Sequence, residues 1–318
     1  MIRVYDAVTD QVVDSLDLSI PSGPTESRTY GPECDYTKVP YDYTRTVVPT
    51  NKDTRPGTPS GTAEPTPPVY QLTIIGGFTD AFHFYPVIVR DSIATIYLHN
   101  NMLEYGHTYY VTIDNGVLNL ADGSFQGVTK EDEWTFTTKS DMPELSDTLI
   151  VDATGKGDFN TVQGALDFIP DFNEQQTVIL VNPGDYEELV YTRNKWNVKI
   201  KGAGMADTKV HYANNEVFNP HPLTVKTNEW PGTFPSRRAA FMLDNCKDIV
   251  IEDMTIATDL KGQAEGLLIN GERIALYRVH IIGSGDALQA NGTIYMESCE
   301  LDGGGDTILD FQRFNITV

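Results

Sequence analysis

Three stretches in the second half of the chain, 248–256 (DIVIEDMTI), 273–281 (RIALYRVHI) and 293–301 (TIYMESCEL), align without gaps at intervals of 25 and then 20 residues. Aligned in this way, their apolar positions form rungs: Ile249/Ile274/Ile294, Ile251/Leu276/Met296, Met254/Val279/Cys299 and Ile256/Ile281/Leu301. These positions run at period two with Gly and Thr nearby, which excludes an amphipathic helix. Repeated short strands bury such rungs by stacking coil on coil, so the pattern predicts a parallel β-helix. The segment 159–169 (FNTVQGALDFI) differs. It sets Val162, Ala165, Leu166 and Ile169 on one helical stripe, offers Asn160 or Thr161 as cap and is stopped by Pro170. A helix there suits the open end of the β-helix, whose ladder groups would otherwise face water.

The first half has a different rhythm. The runs 69–75, 81–89, 93–99, 107–114 and 133–139 carry the β-branched and aromatic residues of strands, and 48–68 is a Pro/Thr/Gly-rich loop. Several short strands separated by turn signals favour a sandwich. The stretch 105–139, with HTYYVTID, the ADG turn at 121–123 and the closing WTFTT, resembles the Ig-like module common in bacterial surface and secreted proteins. The expected fold class is all-β: a right-handed parallel β-helix over 148–318, preceded by an Ig-like β-sandwich over 1–140 and a linker at 141–147. His83, His99 and His107 are scattered along this half and read as structural.

A formal net charge of −22 opposes nucleic acid and anionic membranes as partners. No apolar run approaches the length of a membrane span. Cys34, Cys246 and Cys299 have no metal-like spacing and read as buried free thiols. No metal or organic cofactor is implied.

Two phrases stand out in the β-helix, GSGDAL and GGGDTI. Asp286 follows Ile281 by five residues, and Asp306 follows Leu301 by the same number. The aspartates therefore occupy equivalent places on adjacent coils, separated by about 4.8 Å. Carboxylates that close titrate as a pair, one favoured as acid and one as anion. Stacked turn aspartates in a purely structural role are the alternative from spacing alone.

Several phrases, in order, resemble the pectin methylesterase (pectinesterase) family. They are VDATGKGDFNTVQGALDFIP (151–170), VILVNPGDYEELV (178–190), NVKIKGAG (197–204), GQAEGLLINGERIALYRVHIIGSGDAL and GGGDTIL. The resemblance covers about 150–318 and is of a divergent bacterial type. It implies a carbohydrate esterase that removes methyl groups from esterified polygalacturonate, with pectin as partner. It assigns Asp306 as nucleophile, Asp286 as general acid/base and Gln263 as an oxyanion donor. The sequence departs from the family at Gly285, where the family has a second glutamine, and ends at Val318 before a Gly-Arg-Pro-Trp phrase. Both ends are expected to be cuts from a longer protein.

The segment 217–241 is long for a coil turn, and Trp230 and Phe234 are candidates for stacking on sugar rings. Arg237 and Arg238 are candidates for meeting substrate carboxylates. Tyr186, Glu188 and Trp196 read as scaffold. An enzyme on pectin is expected to be secreted, periplasmic or at the cell surface, and a monomer is expected. A non-catalytic polysaccharide-binding β-helix and a polygalacturonase-like glycosidase are the competing readings.

Overall fold

The computed structural model describes residues 1–25, 46–47, 70–78, 81–119, 123, 125–131, 133–219, 237–305 and 308–317. The second half is a parallel β-helix with three faces. On the first face Leu149 pairs with Ile179, Ile179 with Ile200, Ile200 with Ile251, Ile251 with Leu276 and Leu276 with Met296. On the second, Tyr186 pairs with Val210, Val210 with Ile256, Ile256 with Ile281 and Ile281 with Leu301. On the third, Val190 pairs with Phe241, Phe241 with Leu267, Leu267 with Leu288 and Leu288 with Ile308. The rungs expected from the repeat on the first two faces are in the observed register.

Inward side chains from all three faces form one hydrophobic cluster. Each fully buried aliphatic residue in it contributes about 1.5–3 kcal/mol. The long strands Phe241–Thr258 and Leu267–Ile282 stay hydrogen-bonded while turning corners. Single residues in the left-handed conformation make those corners: Asn197, Asp248 and Arg273 at one, Asp253, Arg278 and Ser298 at the other. Arg273 spans to Asp248 with two bonds of 2.6 Å, and Arg278 to Asp253 at 2.5 and 3.0 Å. At another corner Asn291 donates to Asn270 at 2.9 Å and Asn270 to Asp244 at 2.6 Å, a polar ladder that satisfies side chains coil by coil.

The helix Val162–Phe168 is capped by the Thr161 hydroxyl, which accepts the Gly164 amide at 3.0 Å. Val162, Ala165, Leu166 and Ile169 are buried in the cluster of the coils. No helix among the described residues is long and apolar enough to cross a membrane.

In the first half an antiparallel sheet runs in the order Thr135–Thr137, Thr108–Ile113, Ile2–Asp6, Val12–Leu16. It has its own cluster around Ile2, Val4, Leu16, Tyr109 and Val111. The run 81–89 is broken into Phe82–His83 and Val87–Arg90, each in a two-stranded pair. A third cluster crosses the expected linker in space: Ile75, Phe78, Phe82, Tyr85 and Ile88 pack on Leu189, Tyr191, Tyr212, Met242 and Leu268 of the β-helix. The outward face of the third sheet is therefore covered by the first half of the chain.

Candidate active site

Asp286 closes the turn 283–286 that leads into the third face. Ser284 N and Gly285 N both donate to Ala264 O, at 2.8 and 3.2 Å, and Gly262 N donates to the Ser284 hydroxyl at 3.0 Å. These bonds seat the turn of Asp286 on the turn of Gln263. The next coil repeats the pattern: Gly305 N donates to Gly285 O at 2.5 Å, and Leu288 pairs with Ile308. In the sequence Asp286 and Asp306 each stand two residues before that pair. Asp306 itself lies outside the described residues, as do Trp230 and Phe234.

The space at Gly285 is tight, so a side chain there needs its neighbours to give by a few tenths of an ångström. A Cβ there would stand 3.1 Å from Gly262 O and 3.3 Å from Gln263 Cα. At Gly283 the constraint is absolute, because a Cβ would fall 1.7 Å from Asp286 O. The turn is thus built on backbone-to-backbone approach.

Asp286 is buried, and its Oδ2 lies 3.8 Å from Nη2 of Arg238. Arg238 is 1% exposed and is held by Glu265, with Nε to Oε2 at 2.9 Å and Nη2 to Oε1 at 2.5 Å. Its Nη1 lies 3.3 Å from Glu216 Oε2 and 3.4 Å from Gln263 Oε1. Burial pushes the Glu265 carboxyl up to about 7, against the pull of Arg238. Burial likewise raises Glu216, again opposed by Arg238. The site is a cation ringed by three carboxyl groups and one carboxamide.

The expectation that Arg237 and Arg238 face substrate carboxylates meets a different arrangement. Arg237 is 4% exposed, donates to Ala81 O at 3.0 Å and lies 4.1 Å from the centre of the Phe82 ring. It serves the contact between the two halves. Arg238 meets carboxylates, but those of its own chain. Gln263 is exposed beside it, in reach of a ligand. The sequence reading missed Glu265 and Glu216. The available signal was the pair of arginines ahead of an apolar run in RRAAF, since an arginine carried into a core requires a buried anion.

Among the described residues Glu187, His211 and Asp259 have potential metal-ligating atoms within 4.8 Å of one another. His211 is already spanned by Asp259 at 2.5 Å and Asp185 at 2.8 Å, and Arg90 reaches Asp185 and Glu187 at 2.7 and 3.0 Å. With His211 protonated, two cations face the three carboxylates, and the group reads as an ion-pair network joining Arg90 of the first half to the β-helix.

A parallel β-helix with an aspartate-bearing turn stacked on a glutamine-bearing one defines the class. The Pectinesterase family model matches residues 148–314, more than half of the chain, and the chain belongs to that family. It is 30% identical over 168 residues to Pectinesterase QRT1 of Arabidopsis thaliana, covering 50% of this chain and 43% of that protein. It is 29% identical over 163 residues to Pectinesterase 31 of the same plant, covering 50% of each. The chain spans about half the length of these relatives. Solved structures that align with it include pectin methylesterase PemA from Erwinia chrysanthemi, at 20% identity, 48% coverage of each chain and a TM-score of 0.37. Another is the deglycosylated pectin methylesterase from Aspergillus niger, at 18% identity, 55% coverage of this chain, 56% of that chain and a TM-score of 0.43.

Proposed function

We propose that this chain carries the catalytic region of a pectin methylesterase that hydrolyses methyl esters of polygalacturonate, with Asp306 as nucleophile, Asp286 as general acid/base and Gln263 as oxyanion donor. The observation that supports it most directly is the stacking of the two turns, Gly305 N on Gly285 O, inside the region the family model matches. Ionised Asp306 attacks the ester carbonyl, and the oxyanion that forms is met by the Gln263 amide. Collapse expels the methoxy group, which takes the Asp286 proton and leaves as methanol. Asp286, now a carboxylate, takes a proton from water as that water attacks the acyl-enzyme. This frees Asp306 as carboxylate and reprotonates Asp286, and the galacturonic acid carboxyl gives its remaining proton to solvent.

Methanol release from methyl-esterified pectin by the full-length protein is the test. Asp306→Ala and Asp286→Ala should each abolish it, and activity persisting in Asp306→Ala would sink the mechanism. A second reading, pectin binding without turnover, is favoured by Gly285 alone, since it removes one amide that the family provides. Binding without methanol release would select it. In either case the protein works outside the cell, at the surface or in the periplasm, as a monomer of bacterial type, with residues 1–140 as an Ig-like accessory module.

A further inference from the structure

Beside Asp286 sits a cation that the proposed reaction does not use. Arg238 heads the largest fully buried side chains among the described residues. A buried ion pair often gives no more stability than apolar residues of the same volume, because both charges lose their water. Its placement is therefore informative. Glu265 holds one edge of the guanidinium, through a hydrogen bond from Nε at 2.9 Å and an ion-pair contact to Nη2 at 2.5 Å. The remaining donors point at Gln263 Oε1, 3.4 Å away, at Glu216 Oε2, 3.3 Å away, and towards Asp286 Oδ2, 3.8 Å away.

A guanidinium has donors only, so the Gln263 carboxamide must turn its oxygen to Arg238. Its NH2 group is thereby turned away from the arginine. Resting on the reading of Gln263 and Asp286 given above, we infer that Arg238 is a positioning residue of this site: clamped by Glu265, it presents the Gln263 amide to the substrate oxyanion and sets a positive charge beside Asp286. The charge favours the Asp286 carboxylate and so makes its carboxyl a stronger acid towards the leaving methoxy group. The charged groups facing Arg238 are Glu216, Glu265 and Asp286; all three are anionic when ionised, so Arg238 is the cation among them.

The test uses the full-length protein with two variants. Arg238→Met/Glu265→Leu replaces the most buried pair by apolar residues but leaves Glu216 and Asp286 without their cation, so its folding is checked by circular dichroism before kinetics. It is expected to lower kcat by about 100-fold with KM held within about threefold, as for loss of an oriented oxyanion donor. It should also move the alkaline limb of the pH–rate profile to higher pH, because Asp286 loses its cation. Arg238→Lys keeps the charge but not the planar fork, so it should lose rate while the limb stays in place. A folded double variant with kcat within about threefold of wild type, or with an unmoved alkaline limb, overturns the inference. If the double variant does not fold, Arg238→Lys decides: wild-type kcat overturns the role, and lost rate with an unmoved limb supports it. If the wild-type protein releases no methanol, the functional reading fails separately. The carbon-13 titration of the Asp286 carboxyl then decides, expected at higher pH in the double variant and overturning the inference if unmoved.

Discussion

Glu188 and Gln163 are bound to each other across the capped end of the β-helix. Glu188 Oε2 accepts the Gln163 amide at 2.9 Å while its Oε1 accepts the Val162 amide at 2.7 Å. The Gln163 side chain then acts as a short extra strand, its Oε1 accepting Tyr191 N at 2.7 Å and its Nε2 donating to Tyr191 O at 3.0 Å. One glutamate thus joins the helix to the coils, which is why a charged residue stands buried at a position that reads as scaffold.

Removing that carboxylate should leave two helix amides without partners. Glu188→Ala is expected to lower stability by about 2–4 kcal/mol, as two buried amide donors lose their acceptor. Urea unfolding followed by circular dichroism measures it; a loss under about 0.5 kcal/mol would remove Glu188 from the cap.

Stability should be highest in mild acid. Burial pushes Glu188 and Glu265 up to about 7 from 4.5, so their contributions are complete below 4.5 and are lost as pH rises through about 7. His211 is lowered by burial but raised more by Asp185 and Asp259, with a net rise from 6.5, so its contribution is also lost as pH rises through the folded value. Asp6, held low by His107, and Asp185, held low by His211, act oppositely: their stability is present above 3.8 and lost as pH falls. The urea midpoint is therefore expected to peak at about pH 4 to 4.5 and to fall from there towards pH 8. A midpoint that rises from pH 6 to 8 would contradict this assignment.

The ion-pair network at His211 should divide by burial rather than by charge. His211 is fully buried between two carboxylates, so His211→Ala should cost about 3–5 kcal/mol by leaving anions unpaired. Arg90, with 37% of its side chain exposed, should cost no more than about 1 kcal/mol when replaced by alanine. Equal losses in the two variants would refute the distinction.

Phe82 should couple the two halves of the chain. It is fully buried, 4.7 Å from the Tyr191 ring, and carries Arg237 over its face. Phe82→Ala is expected to cost about 3–5 kcal/mol. Protease cleavage after residues 70–90 should become faster in that variant, and unchanged cleavage would show that the docking does not depend on this ring.

A buried rung sets the scale for the β-helix itself. Ile251 has its neighbours Ile200 and Leu276 in register on both sides, so Ile251→Ala should cost about 2–5 kcal/mol by loss of contacts and formation of a cavity. A change below about 1 kcal/mol would mean that the ladder relaxes around the gap.

The sequence alone determined the repeat. Period-two rungs such as Ile251/Leu276/Met296 leave a chain one economical way to bury them, and the gapless alignment fixed the register that is observed. It likewise determined the helix Val162–Phe168, because a cap, an apolar stripe and a stopping proline are all local signals. Of the candidate site, the repeat made legible the equivalent turns of Asp286 and Asp306, while Gln263 was marked by the family resemblance alone. Arg238, Glu265, Glu188 and Gln163 were not legible, since each is explained by a partner 25 to 28 residues away in sequence. The burial of Arg237 under Phe82 needed a contact across 155 positions. Patterns along the chain decide which residues must be hidden from water; only the folded chain decides which charges are hidden with them, because a buried charge is tolerated solely where tertiary packing delivers its partner.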